Sequence, residues 1–118
     1  MKESEFQDAV VDVAHRFGWR VAHFRPAQTR NGWRTAVAYD GQGFPDCVMV
    51  NPDRRLTLFV EFKSAVGKLS PAQVVWRNAL LEAFGKTPDV RYLLWRPGDA
   101  DDIARTLSNG RITEWRLT

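Results

Sequence analysis

Leu56-Thr57-Leu58-Phe59-Val60-Glu61-Phe62-Lys63 decides the fold, because its apolar side chains recur at every second position. Successive side chains of a strand point to opposite faces. Leu56, Leu58, Val60 and Phe62 therefore share one face, and Thr57, Phe59, Glu61 and Lys63 share the other. Glu61 and Lys63 stand two apart on the same face, with α-carbons about 6.5 to 7 Å apart. Immediately upstream, Asp46 to Asn51 reads as a second, valine-rich strand, and Asn51-Pro52-Asp53 is a strong turn signal. So short a connection makes the two strands an antiparallel pair. Asp46 then opens the paired strand and lies across the ladder from Glu61 and Lys63. Cys47 points away from Asp46 and reads as core.

Downstream, Ser64 to Lys68 is a loop, and Ser70 caps a helix with Pro71 at its first position. Gln73 completes a capping box with Ser70, and Leu69 with Val74 forms a hydrophobic staple. This helix runs to about Phe84 and stops at Gly85. Val90 to Trp95 is the next strand. The helix before it lets it lie parallel to the Leu56–Lys63 strand in a right-handed crossover. Asp99 caps a last helix that reaches about Leu107 and ends at Asn109-Gly110. Arg111 to Leu117 is expected to add an edge strand, with Ile112, Trp115 and Leu117 apolar.

Toward the N-terminus, Ser4 and Gln7 have capping-box spacing. Phe6, Val10, Val13, Ala14 and Phe17 form one helical stripe, closed by Gly18. Glu5 sits at the border of that stripe. Trp19 to Arg25 reads as a strand ended by Pro26. Residues 26 to 44 read as loop, with a turn at Asn31-Gly32 and Thr35 to Tyr39 as a candidate extension of a hairpin. The expectation is one α/β domain over residues 1–118, with a single mixed sheet flanked by helices.

The chain has 118 residues, 44% of them hydrophobic, which suits one domain with a real core. No apolar run approaches the roughly 18 residues needed to span a bilayer. The start lacks an apolar signal core, so the chain is expected to stay in the cytoplasm. One cysteine excludes an intrachain disulfide. His15 and His23 have no cysteine partners, so the usual zinc spacing is absent and any metal would be held by oxygens.

Charge is uneven. The net value is +3, yet no acid occurs between Asp12 and Asp40. That stretch holds Arg16, Arg20, Arg25, Arg30 and Arg34, with Trp19, Phe24, Trp33 and Tyr39 nearby. Arginine forks bind phosphate, and aromatic faces stack on unpaired bases. Arg25, Arg30, Trp33, Arg34 and the loop residue Lys68 are therefore candidate DNA contacts; a solvated arginine face is the plainer reading.

Two carboxylates and an ammonium on one small area suit phosphodiester hydrolysis. Carboxylates hold a hard divalent ion such as Mg2+ or Mn2+, which polarises a phosphoryl oxygen and acidifies water. A lysine beside it can stabilise either the attacking water or the transition state.

Gly43-Phe44-Pro45-Asp46, Glu61-Phe62-Lys63 and Leu69-Ser70-Pro71-Ala72-Gln73 together resemble the VRR-NUC nucleases of the PD-(D/E)XK superfamily. The likeness spans residues 4 to about 95. It leaves the arginine-rich stretch 26–42 unmatched. It implies a restriction-endonuclease-like fold with an α-β-β-β-α-β core. It also implies catalytic roles for Asp46, Glu61, Lys63, Gln73 and Glu5. The metal ligands it implies are Asp46, Glu61, the Phe62 carbonyl and Glu5, the last directly or through water. Gln73 also has its structural reading as the partner of Ser70, and the two roles are compatible. Such proteins resemble Holliday-junction resolvases and act as homodimers on branched DNA. The alternatives are a monomeric nickase or flap nuclease, and a non-catalytic DNA-binding module of the same fold.

Overall fold

A computed structural model describes residues 2–24, 27–29, 32–34 and 38–109. Helix α1 (Glu3–Arg16) leads into strand β1 (Arg20–His23). Strands β2 (Ala27–Thr29) and β3 (Gly32–Arg34) form a separate antiparallel hairpin. Strands β4 (Cys47–Asn51) and β5 (Leu56–Phe62) follow, then α2 (Pro71–Phe84) and β6 (Val90–Trp95). A single 3-10 turn (Pro97–Asp99) precedes α3 (Ala100–Asn109). The main sheet has the order β1-β4-β5-β6. Its first two pairings are antiparallel, and β5 pairs with β6 in parallel. The α/β architecture and the mixed four-stranded sheet follow the sequence expectation. No helix of the described residues is long and apolar enough to cross a membrane.

Alternation along β5 divides the molecule into two layers of contact. Leu58, Val60 and Phe62 are fully buried beneath Phe6, Val10 and Ala14 of α1 and Ile103 and Leu107 of α3. Phe6 meets Phe62 edge-on at 5.6 Å. On the opposite face, Phe59 packs on Phe84 of α2 at 5.5 Å and on Phe44 at 5.9 Å. Apolar burial of this kind is the main favourable term in folding.

The β4–β5 turn is held by Asn51, whose Oδ1 accepts from Arg54 N–H at 3.2 Å. Arg54 then reaches the end of α3, donating to the carbonyls of Leu107 and Ser108. The indole N–H of Trp19 reaches the Leu107 carbonyl as well, at 2.8 Å. Helix C-termini leave carbonyls without partners, and cations there are favoured.

Several local expectations are corrected. Helix α1 starts at Glu3 with Lys2 as its cap, so the Ser4–Gln7 box is not what caps it. The Glu5 carboxylate lies within 3.4 Å of the Lys2 N–H instead. Phe17 is exposed, because the helix has ended there and its side chain leaves the stripe. The stretch read as loop contains the β2–β3 hairpin, and Gly32 pairs with Thr29 in its ladder instead of sitting in the turn. Trp19 is core, 2% exposed, and offers no stacking face. Tyr39 lies in a turn and extends no strand. Arg25, Arg30, residues 35–37 and the expected strand over 111–117 lie outside the described residues, as do the side chains of Trp33 and Arg34.

Candidate active site

Pro45 and Asp46 enter the sheet from a segment pressed against the start of α2. Gly43 has φ +85, and a Cβ there would stand 2.5 Å from the backbone carbon of Ala72. Only glycine allows both the left-handed conformation and so close an approach. Phe44 fastens the same segment, edge-on to Trp76 at 4.9 Å and to Phe24 at 5.5 Å. Trp76 is half-buried and donates its indole N–H to the Asp40 carbonyl at 2.8 Å.

The β4–β5 ladder pairs Cys47 with Val60. Continued outward, it sets Asp46 opposite Glu61 and Pro45 opposite Phe62. Proline has no N–H to give the Phe62 carbonyl. The Phe62 N–H turns to the Asp46 side chain, donating to Oδ2 at 2.8 Å. Asp46 is thus clamped: its own carbonyl accepts from Phe24 N–H at 3.0 Å on the other side.

Glu61 is 2% exposed. Its Oε2 accepts from Gln73 Nε2 at 3.0 Å and lies 3.9 Å from Lys63 Nζ. Burial pushes its carboxyl up to about 9, and the charge of Asp46 and a hydrogen bond with Asp46 push the same way. Lys63 opposes the shift, and Glu3 adds to it. Two carboxyl groups this close share a proton in preference to both ionising.

Gln73 performs two tasks. Its N–H donates to Ser70 Oγ at 3.2 Å and its Oε1 accepts from Ser70 N–H at 2.8 Å, closing the capping box. Its remaining Nε2 is the group that reaches Glu61. The capping box and the contact with Glu61 are therefore made by one side chain.

Asp46, Glu61, Lys63 and Gln73 come together as the sequence expects. Glu5 does not join them: it is exposed and engaged with Lys2, and the helix acid whose charge acts on Glu61 is Glu3. Sequence reasoning missed Glu3 because the helix begins one residue before Ser4. It also missed Tyr92 and Arg77. Tyr92 is buried, its hydroxyl is held above the ordinary range by burial and by the charges of Glu61 and Asp46, and Arg77 opposes that shift. Only the parallel β5–β6 register and the turn spacing of α2 bring these two to the site. Lys68 is exposed on the loop between Lys63 and Ser70. Arg96 organises that loop by donating to the carbonyls of Ser64 and Gly67, each at 2.7 Å.

Among the described residues, no group of three or more His, Cys, Asp or Glu converges. Two carboxylates are nonetheless enough for an ion that keeps several waters. Asp46, Glu61 and the Phe62 carbonyl, which the ladder leaves without a proline donor, make an all-oxygen set that fits a hard divalent cation. A buried Glu61 held in its protonated form beside Asp46 is also the expected state of such a set without its cation. No family model and no curated protein matches the chain.

Proposed function

We propose that this chain is a metal-dependent endonuclease that hydrolyses phosphodiester bonds in DNA. The observation that carries this reading is the meeting of Asp46 and a buried Glu61 with Lys63 and Gln73 at one end of the sheet. A divalent ion such as Mg2+ or Mn2+, held by Asp46, Glu61 and the Phe62 carbonyl, would supply Lewis-acid charge at the scissile phosphate. Lys63 brings a fixed positive charge beside it, suited to stabilising charge that builds up in the transition state. Gln73 holds the Glu61 carboxylate in one orientation through its Nε2. Clustered acids repel DNA unless a cation screens them, which a purely binding role does not require.

The restriction-endonuclease-like classification and the kinship to VRR-NUC nucleases belong to this proposal, supported by the order α1, β1, β4, β5, α2, β6 with one acid at the entry to β4 and the other on β5. So do cytoplasmic action and a homodimer that cuts branched DNA: one domain with one site cuts one strand, and paired cuts need a two-fold assembly.

Nicking of supercoiled plasmid should appear with Mg2+ or Mn2+ and vanish with chelator. Asp46→Ala and Glu61→Ala should each lose at least about tenfold, or roughly 1.4 kcal/mol of barrier. Cleavage retained in either variant defeats the assignment. A clean 13.5 kDa monomer in light scattering when free, and a mass of one chain per four-way junction when bound, would leave the nuclease and remove the dimer.

A further inference from the structure

Beside the acid cluster lies a concavity of about 570 Å³ that the hydrolytic chemistry does not use. One wall is a stripe of α2: Ala72, Val75, Trp76 and Ala79. These positions are three and four apart, so they form one continuous face. Tyr39, Asp40 and Gln42 complete the lining.

Tyr39 is the unusual member. It is 103% exposed, and its φ is 56. A bulky aromatic residue seldom adopts the left-handed conformation, and such outliers gather at ligand clamps. The turn that presents it is firmly built. Gly41 N–H donates to the Ala38 carbonyl at 3.1 Å, and Phe44 N–H to the Gly41 carbonyl at 3.1 Å. Trp76 ties the same turn to α2 through Asp40. The ring is thus held out in solvent by a fastened scaffold, where the hydrophobic effect alone would turn it inward.

We propose that this concavity stacks an unpaired nucleobase of the DNA strand entering the Asp46–Glu61 site; the inference rests on the nuclease reading above. The lining chemistry selects the base over the backbone. No Lys or Arg is among the described lining residues, and Asp40 repels phosphate. An exposed aromatic side chain beside an apolar helix face suits the flat face of a base. The exposed amide of Gln42 offers both a donor and an acceptor for a base edge. A base inside a duplex has no free face, so the occupant is unpaired. The site also lies within one turn of the chemistry, because Ala72 lines it and the adjacent Gln73 touches Glu61.

The test uses a DNA duplex with a single-stranded tail carrying 2-aminopurine, and a blunt duplex of the same sequence, both in Ca2+. The wild-type chain should quench the tail fluorescence. Tyr39→Ala should lose the quenching and bind the tailed DNA between about 5-fold and about 150-fold more weakly. Its affinity for the blunt duplex should be unchanged. Tyr39→Trp should restore both effects, and Val75→Glu, which places charge on that helix face, should reproduce the loss. If Tyr39→Ala cleaves plasmid and quenches the tail like wild type, the stacking site is wrong and the nuclease stands. If the wild-type chain binds neither DNA, both readings fall together.

Discussion

At the scale of single residues, Glu61 carries the largest electrostatic cost, buried to 2% beside Asp46. Its carboxyl rises from 4.5 to about 9. Below 4.5 it is protonated in the folded and the unfolded chain alike, so it costs nothing. Between 4.5 and 9 the unfolded chain releases the proton and the folded chain keeps it. Stability without a cation therefore falls as pH rises through that window, by at most about 1.4 kcal/mol per pH unit. Glu61→Gln keeps an oxygen for Gln73 and offers Asp46 an N–H in place of the proton. This variant should unfold at higher temperature than wild type at pH 8, show a flatter pH profile and cut no DNA. A pH profile identical to wild type would mean that Glu61 ionises freely in the fold. Asp46, Glu61, Lys63 and Gln73 were legible because strand alternation and a capping box are local signals. Glu3 and Arg77 were not, since which helical side chain leans toward a strand depends on where a helix begins and how it packs.

Elements were read well wherever their own sequence decided them. Strand β6 begins and ends at the expected residues, and α2 runs from Pro71 to Phe84 as its capping box and Gly85 require. The β2–β3 hairpin was not legible. Its strands are three residues long, too short for alternation to register. Two glycines allow the contact between the entering segment and α2 to be weighed. Gly18 and Gly43 both have φ +85, but a Cβ on Gly18 meets nothing within 4 Å. Gly18→Ala should cost about 1 kcal/mol from backbone strain alone, with cleavage unchanged. Gly43→Ala adds a clash against the Ala72 backbone, so it should cost at least about 2 kcal/mol and misplace Asp46. Thermal unfolding of the pair, with plasmid nicking, checks this. Equal losses would show that the segment does not depend on α2 for its position.

Across the whole molecule, the site is assembled from two kinds of contact that differ in sequence distance. Asp46 and the Phe62 N–H are 16 residues apart and joined through one turn, whereas the β5–β6 pairing needs the complete α2 crossover. Contacts close in sequence lose less chain entropy on forming and tend to form early. That order would bring the two acids together in the β4–β5 hairpin before the crossover supplies Gln73 or the Tyr92 layer. We therefore expect the carboxyl pair of the finished site to act as a kinetic obstacle on the way to it. At pH 8 without cation, Glu61→Gln should refold faster than wild type, with most of its gain on the refolding arm of the chevron. A gain confined to the unfolding arm would place the meeting of the acids after the rate-limiting step. Under the metal-dependent reading proposed above, divalent ions present during refolding should speed the wild-type chain toward the rate of the variant, and an unchanged refolding rate would separate cation binding from assembly.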